Sequence, residues 1–175
     1  MTHSPPLINY PLAALVLGAG LVLGAIAVMP RKPWRWLLWL SLAGVVGVIL
    51  WLTMGLAFGD AGGTGINLVP FREIRRALDN GGAGHLNLVG NIGMFVPVGA
   101  LVAWLARRWR VVTATVVGAL FSLGIETTQL SLGRVGDVDD VILNTSGALV
   151  GALLAMTWAS AVRRRWAGYD EPAGL

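Results

Sequence analysis

The sequence predicts an all-α integral membrane protein, a bundle of about five transmembrane helices with an amphipathic or re-entrant segment between the second and the third. The chain is 55% hydrophobic and only 13% charged, with a mean hydropathy of +0.70, which is too apolar for a soluble domain of 175 residues. Several apolar runs reach the roughly 20 residues that cross a bilayer core. Lysine and arginine form short clusters between these runs, so the first expected partner is the lipid bilayer.

Charge and residue usage exclude several other classes. The isoelectric point near 10.7 would suggest a nucleic-acid partner in a soluble protein, but basic clusters between apolar runs set membrane topology instead, so no nucleic acid is expected. The chain has no cysteine, which excludes disulfides, thiolate metal sites and a cysteine nucleophile. It shows no phosphate-binding loop and no zinc signature, and His85 is a lone loop histidine. No cofactor and no resident metal are therefore predicted.

Two spans are predicted in the N-terminal part, residues 1–58. The first covers 8–29, and a cleaved signal peptide competes with this interpretation because Ala25 and Ala27 form a small-residue cleavage pattern. The residues before this run include no basic side chain, which favours a retained helix with its N-terminus outside. The second span covers 37–58 and begins among tryptophans that suit the membrane interface.

An amphipathic segment, residues 66–78, follows in a glycine-rich polar region. Pro70 breaks the regularity, and a helix from Phe71 would place Ile74 and Leu78 on one face and the arginines elsewhere. Such a helix suits the headgroup layer, and irregular backbone at membrane depth must be covered by protein or water. A solvated loop is the alternative. The apolar Asn-Leu-Val-Pro-Phe run favours the interfacial or re-entrant form.

Three further spans carry the polar residues. They run from about 86 to 106, from 111 to about 130 and from about 138 to 161. The first of them contains Asn91 and also Pro97, where a kink is expected because the proline lacks a donor. The next contains Glu126 and Gln129 on one helical face. With the amphipathic segment these spans form a core at 59–161, and a polar tail follows at 162–175.

The basic clusters predict the orientation. Three clusters of three residues fall at alternate loops, which places the N-terminus outside and the C-terminus in the cytoplasm. The other arginines, at positions 72, 75, 76 and 134, then lie on the outer side, where the positive-inside bias disfavours them. They are expected to pair with carboxylates or with an anionic substrate.

Depth along the helices predicts an outward-facing polar pocket. Glu126 lies about 15 residues from the cytoplasmic start of its span, roughly 22 Å up a core of about 30 Å. Asn144 enters from the outside and lies roughly 6 to 9 Å below the surface, with Asn91 slightly shallower. Asp140 and Asn144 are four apart, so both can face Glu126 and Gln129. A structural carboxylate that only joins helices is the alternative for Glu126, but ionisable groups within spans usually serve a site.

The three aspartates before the last span belong to the same prediction. Asp137 is expected to cap that helix, and Asp140 in its first turn suits the helix dipole. Capping explains one aspartate but not three in four residues. The candidate pocket therefore comprises Asn67, Pro70, Phe71, Arg72, Asn91, Pro97, Glu126, Gln129, Arg134, Asp137, Asp139, Asp140 and Asn144.

The ordered motifs Asn67-Leu-Val-Pro-Phe, Gly90-Asn91, Phe95-Val-Pro-Val-Gly, Glu126-x-x-Gln and Arg134-x-x-Asp-x-Asp-Asp resemble those of the VanZ-like family. The resemblance covers the chain from the amphipathic segment to the last span. It implies a small multi-pass protein of the bacterial inner membrane. The family is named for a member that gives resistance to the glycopeptide teicoplanin, so the resemblance implies a role at the cell envelope without an established reaction.

Two functional classes stay open, and the first is favoured. In the first, the protein is a non-enzymatic factor whose partner is a lipid-linked envelope molecule or a glycopeptide. In the second, Glu126 or Asp140 acts as a general base or divalent-metal ligand, and arginines hold the phosphate of a lipid-linked substrate. Oxygen ligands alone would suit Mg²⁺ or Ca²⁺. A small-molecule transporter is a third class, disfavoured because no inverted repeat is visible.

Overall fold

The computed structural model describes residues 35–55, 65–79 and 81–167, and four helices in this part of the chain are long and apolar enough to cross a membrane. This confirms the predicted all-α membrane class. The predicted first span, 8–29, lies outside the described residues. The elements are α1 (Arg35–Leu50), a π-helical segment (Trp51–Gly55), β1 (Gly65–Asn67), α2 (Arg72–Asp79), α3 (Gly82–Leu105), α4 (Arg110–Ser131), β2 (Val135–Asp137) and α5 (Val138–Ala167).

The predicted spans agree closely with the long helices, because helices satisfy their own backbone hydrogen bonds in lipid and apolar runs mark them. The predicted fourth span at 111–130 differs from α4 by one residue at each end. The predicted fifth span begins where α5 begins, but α5 continues through three arginines to Ala167. The described part of the second span changes from α- to π-helix after Leu50.

Helices α3 and α5 form the centre of the bundle and touch backbone to backbone. Three glycines permit this contact, since a Cβ on any of them would overlap a backbone carbonyl oxygen of the facing helix. Small residues allow such close packing between membrane helices, where the hydrophobic effect does not drive association. The facing pairs are Gly99 with Ala148, Gly147 with Ile92 and Gly151 with Val96.

The core lies between these two helices, α4 and the face of α1 that carries Val45 and Ile49. Phe95 is fully buried, and its ring centroid is 5.5 Å from that of Phe121 on α4. Large apolar side chains on the outer faces, such as Leu120 and Leu154, are more than half exposed, as expected of helices that face lipid. Pro97 lies inside α3 and is buried.

The basic residues gather at one end of the bundle, here called the basic end. Short connections make α3, α4 and α5 antiparallel neighbours, so the end of α3, the start of α4 and the end of α5 meet there. Arg35, at the start of α1, donates to the Leu105 carbonyl at 2.9 Å and so joins the same end. The opposite end, here called the polar end, carries the acidic residues before α5. Which end faces the cytoplasm stays a prediction.

A short parallel pairing closes the polar end and was not predicted from the sequence. Gly65 pairs with Val135 and Asn67 with Asp137, which places the segment before α2 beside the segment before α5. Helix α2 then lies across the start of α3, so closely that a Cβ on Gly84 would overlap the Ala77 carbonyl oxygen. The predicted helix from Phe71 agrees with α2, which begins one residue later.

Candidate functional site

A polar cavity of about 290 Å³ lies between α1 with its π-helical segment, α3, α4 and α5, towards the polar end. Its walls combine two carboxylates and a guanidinium with several amides, a mixture that is unusual inside a membrane bundle. We refer to it as the polar cavity. It is lined by Leu52, Thr53, Asn87, Asn91, Met94, Ile125, Glu126, Gln129, Arg134, Asp140 and Asn144.

Six of the thirteen candidate residues line this cavity, and their positions in the helices explain why they meet. Asn91 lies in the third turn of α3, Glu126 and Gln129 lie near the end of α4, and Asp140 and Asn144 lie near the start of α5. Because the three helices are antiparallel neighbours, these ends come to the same level. Arg134 joins them from the connection between α4 and α5.

Two asparagine side chains form hydrogen bonds on the side of the cavity that α5 contributes. Asn91 donates its Nδ2 to Asp140 Oδ1 at 2.6 Å. Asn144 donates its Nδ2 to Ser122 Oγ at 2.9 Å and is only 6% exposed. Its Oδ1 is buried and has no hydrogen-bond partner among the described residues. A buried acceptor left unpaired costs about 1–3 kcal/mol, so this oxygen is a prime position for a ligand donor.

Two side chains of the cavity, one on α4 and one in the connection after it, bind the π-helical segment. Gln129 donates to the Thr53 carbonyl at 3.2 Å, and Arg134 donates to the same oxygen at 3.1 Å. Short π-helical turns within α-helices are rare and often occur at functional sites. Here the turn presents a backbone carbonyl to two side chains and thereby fixes the wall of the cavity that the π-helical segment contributes.

A hydrogen-bonded network of acidic residues lies above the cavity. Glu126 accepts the backbone N–H of Asp137 at 2.9 Å. The Asp137 carboxylate accepts both the Asn67 side-chain amide, at 3.1 Å to each oxygen, and the backbone N–H of Asp139 at 2.9 Å. This last bond is the helix-capping role expected of Asp137, since it satisfies a donor in the first turn of α5.

Asp139 performs a separate structural task. It is 1% exposed, and its carboxylate accepts the backbone N–H groups of Phe71, Glu73 and Ile74 at 2.5, 2.8 and 3.2 Å. These are donors at the start of α2 that have no partner within the helix. Asp137 and Asp139 therefore hold the polar end together, and of the three aspartates only Asp140 lines the cavity.

The other candidate residues lie away from the cavity wall. Asn67 is buried in the acidic network, and Pro70 lies in the exposed turn before α2. Phe71 has an unusual positive φ of 66° and a side chain that is half exposed. Arg72 is exposed and pairs with Glu73 at 3.5 Å, and Pro97 is buried within α3. Their assignment to a functional site stays a prediction.

Some residues around the cavity were not predicted from the sequence. The sequence contains a signal for two of them but not for the others. Asn87 precedes Asn91 by four residues, and Ser122 precedes Glu126 by four, so helical spacing could have identified both. Thr53 contributes a backbone carbonyl, for which residue type is no guide. Leu52, Met94 and Ile125 are indistinguishable in sequence from other apolar residues of a span.

A second concavity adjoins the first and is apolar. It measures about 630 Å³, lies between α1 and α4, and is here called the apolar groove. Ile125 lines both the polar cavity and the apolar groove. The apolar groove is lined by Leu50, Trp51, Met54, Leu120, Phe121, Gly124, Ile125 and Thr128.

The cavity is equipped to bind a polar group. Within residues 35–55, 65–79 and 81–167, no group of three or more His, Asp or Glu side chains is arranged to hold a metal ion. The lining instead offers the carboxylates of Glu126 and Asp140, the guanidinium of Arg134 and the Asn144 oxygen, which none of the described residues pairs with. Together they supply both hydrogen-bond acceptors and a fixed positive charge.

These features define a multi-pass helical membrane protein with a hydrogen-bonding cavity between its spans. The chain belongs to the VanZ/LLP1 family, whose family model matches residues 32–159. The match confirms the resemblance seen in the ordered motifs, and it includes every residue that lines the cavity. We found no match among the curated proteins and none among the solved structures.

Proposed function

We propose that this protein is a non-enzymatic factor of the bacterial cell envelope that binds a polar group of an envelope molecule in the polar cavity. By doing so it reduces the action of teicoplanin-type glycopeptides. The observation that carries the proposal is the buried Asn144 oxygen without a described partner, in a cavity that also contains Glu126 and Asp140.

Polar groups within a bilayer carry an energetic cost that a bound ligand can reduce. An ionisable side chain at the centre of a span costs roughly 2.5–3.5 kcal/mol even on insertion scales, and unpaired buried acceptors add to that cost. The backbone N–H of Asp137 offsets part of this cost for Glu126, and the Asn91 amide does so for Asp140. The Asn144 oxygen has no such donor among the described residues. A bound donor group would offset the rest, which supports a binding role.

The contacts of the lining favour binding over covalent catalysis. The hydroxyl group in the lining belongs to Thr53, and it donates to the Ile49 carbonyl of its own helix at 2.8 Å. Glu126 and Asp140 each accept a hydrogen bond that holds the polar end together. These side chains are therefore already engaged in positioning the walls of the cavity.

Two further observations support an envelope role. The basic end gathers the arginines that the positive-inside rule assigns to the cytoplasm, which favours a polar cavity open towards the outside. Teicoplanin-type glycopeptides act on the outer side of the membrane, and the resemblance to the teicoplanin-resistance member of the family suggests the same class of agent for this chain.

The experiment replaces the two cavity carboxylates by their amides. Glu126→Gln and Asp140→Asn keep an oxygen that can accept from the Asp137 N–H and from Asn91, respectively, while each removes a charge. We expect each variant to accumulate in the membrane like the wild type, and the teicoplanin susceptibility of the cells to equal that of cells without the protein.

The matched control is Glu73→Gln, which removes an exposed carboxylate on α2 outside the cavity and should leave protection unchanged. If Glu126→Gln and Asp140→Asn both protect normally, the cavity is scaffolding and the proposal is wrong. Lipid-linked envelope precursors of cells with and without the protein should be identical. A precursor that is consumed only when the protein is present would instead establish an enzyme.

A further inference from the structure

We infer that the polar cavity and the apolar groove form one site for a membrane lipid with a primary ammonium headgroup, with the headgroup in the cavity and a hydrocarbon chain in the groove. This inference rests on the binding role proposed for the cavity. It adds the chemical class of the ligand and the path by which the ligand enters.

The two concavities are adjacent along two elements. Thr53 lines the cavity and Met54 the groove on the π-helical segment, and on α4 Gln129 lines the cavity and Thr128 the groove. Ile125 belongs to both walls. A ligand that occupies both spaces must therefore be polar at one end and apolar at the other.

The apolar groove faces the lipid. Trp51 and Leu120 on its rims are 60% and 63% exposed, and no atom of the described residues lies within 4 Å of the position that a Cβ on Gly124 would take. Its volume of about 630 Å³ falls within the range of roughly 300–1,000 Å³ that is typical of small-molecule sites. A hydrocarbon chain could enter from the bilayer sideways, without passing through water.

The charges of the cavity lining are complementary to a cation. The lining has two carboxylates, Glu126 and Asp140, but one guanidinium, Arg134, so it favours a group with positive charge. A primary ammonium has three donors and no acceptor, which suits two carboxylates and the Asn144 oxygen that has no partner among the described residues. Arg134 is a suitable partner for a lipid phosphate, because guanidinium groups bind phosphate oxygens through charge-assisted hydrogen bonds.

The test measures which lipids the full-length protein retains. The protein is purified in detergent, incubated with one synthetic lipid at a time and analysed by native mass spectrometry. The lipids are dioleoyl phosphatidylethanolamine, dioleoyl phosphatidylcholine and dioleoyl phosphatidylglycerol, which share their chains and their phosphate. We expect the ethanolamine lipid to be retained about tenfold better than either of the others, the effect of one charge-assisted hydrogen bond.

Single substitutions test the apolar groove and the polar cavity separately. Gly124→Leu adds a side chain to the wall of the groove, at a position where a Cβ meets no described atom within 4 Å, and should lower retention of the ethanolamine lipid several-fold. Gly44→Leu is the matched control, since it adds the same side chain on α1 outside both concavities, where a Cβ meets no described atom within 4 Å. Asp140→Asn should remove the preference for the ethanolamine lipid over the choline lipid.

Each result decides one part of the inference. Equal retention of the three lipids by the wild type overturns the ammonium headgroup, and unchanged retention in Gly124→Leu overturns the placement of the chain. If the lipids are retained equally but Asp140→Asn still abolishes protection against teicoplanin, the proposed function stands with another ligand. If the ethanolamine lipid is preferred but Asp140→Asn protects normally, the lipid site stands and the proposed function fails.

Discussion

The carboxylate of Asp139 accepts the backbone N–H of Phe71 at 2.5 Å, although 68 residues separate the two along the chain. The same carboxylate accepts two further N–H groups in the first turn of α2. An amphipathic helix of eight residues is marginal by itself, because helix initiation is unfavourable. Asp139 therefore holds the start of α2 in place from the first turn of α5.

We predict that Asp139→Ala releases the start of α2. A lost capping side chain typically costs about 0.5–2 kcal/mol, and this carboxylate serves three donors. Amide hydrogen exchange at residues 71–74 should become faster in the purified protein. Asp79→Ala removes an exposed aspartate from the other end of α2 and should not change this exchange. Equal protection in both variants would contradict the capping role.

We predict that Gly99→Ala disrupts the pairing of α3 and α5. A methyl group at this position would overlap the Ala148 carbonyl oxygen, which is backbone and cannot rotate away. The variant should accumulate in the membrane at a lower level, and in detergent it should unfold at a lower temperature than the wild type. Gly44→Ala on α1 meets no atom of the described part of the chain within 4 Å and should be neutral or stabilising, since alanine favours helix by about 1 kcal/mol over glycine. Identical melting of the two variants would refute close packing at Gly99.

We predict that Ser122→Ala destabilises the α4–α5 contact. The hydroxyl of Ser122 accepts from Asn144 at 2.9 Å in a fully buried position, and its loss leaves the asparagine with neither polar atom paired among the described residues. Hydrogen bonds between membrane helices contribute roughly 0.6–2 kcal/mol. Thermal unfolding should show a decrease of that size in the free energy of unfolding relative to Ser160→Ala. That control removes a hydroxyl near the end of α5 whose hydrogen bond within the described residues stays in its own helix. A decrease of the same size in Ser160→Ala would count against the interhelical bond.

We predict that the polar end faces the outside of the cell. The chain contains no cysteine, so a single introduced cysteine reports its own position. In intact cells a membrane-impermeant maleimide should label Leu132→Cys, which follows α4 at the polar end, but not Arg164→Cys at the basic end. Permeabilised cells should show labelling of both variants. Labelling of Arg164→Cys in intact cells would contradict this prediction. It would show that the basic end faces the outside and that the cavity lies towards the cytoplasm.

Much of the helical bundle could be predicted from the sequence, because each membrane span is an apolar run within one short segment. Hydropathy identifies α4 and the start of α5 within one residue, and the break at Pro70 places the start of α2. Counting residues from the helix ends places Asn91, Glu126 and Asn144 near one level, and all three line the cavity. These predictions need only the rise per residue of a helix and short connections between neighbours.

Other features depend on contacts between distant segments and had no local signal. The β1–β2 pairing joins residues around 66 and 136, which are polar or glycine-rich in sequence and resemble ordinary loops. The apolar groove lies between α1 and α4, which are not consecutive in the chain, and each of its walls resembles any lipid-facing helix surface. The Thr53 carbonyl belongs to the backbone, so no choice of residue type indicates it.

The sequence by itself determined that this is a multi-pass helical membrane protein with acidic residues concentrated before its last helix, because apolar run length and charge clusters are properties of short segments. Only the tertiary structure decided which of those acids faces the cavity. Asp137, Asp139 and Asp140 are almost adjacent and chemically identical, and what distinguishes them is their partners: Asn67 for the first, the start of α2 for the second and Asn91 beside the cavity for the third. Those partners come from segments about 50 to 70 residues away, and folding alone brings them together.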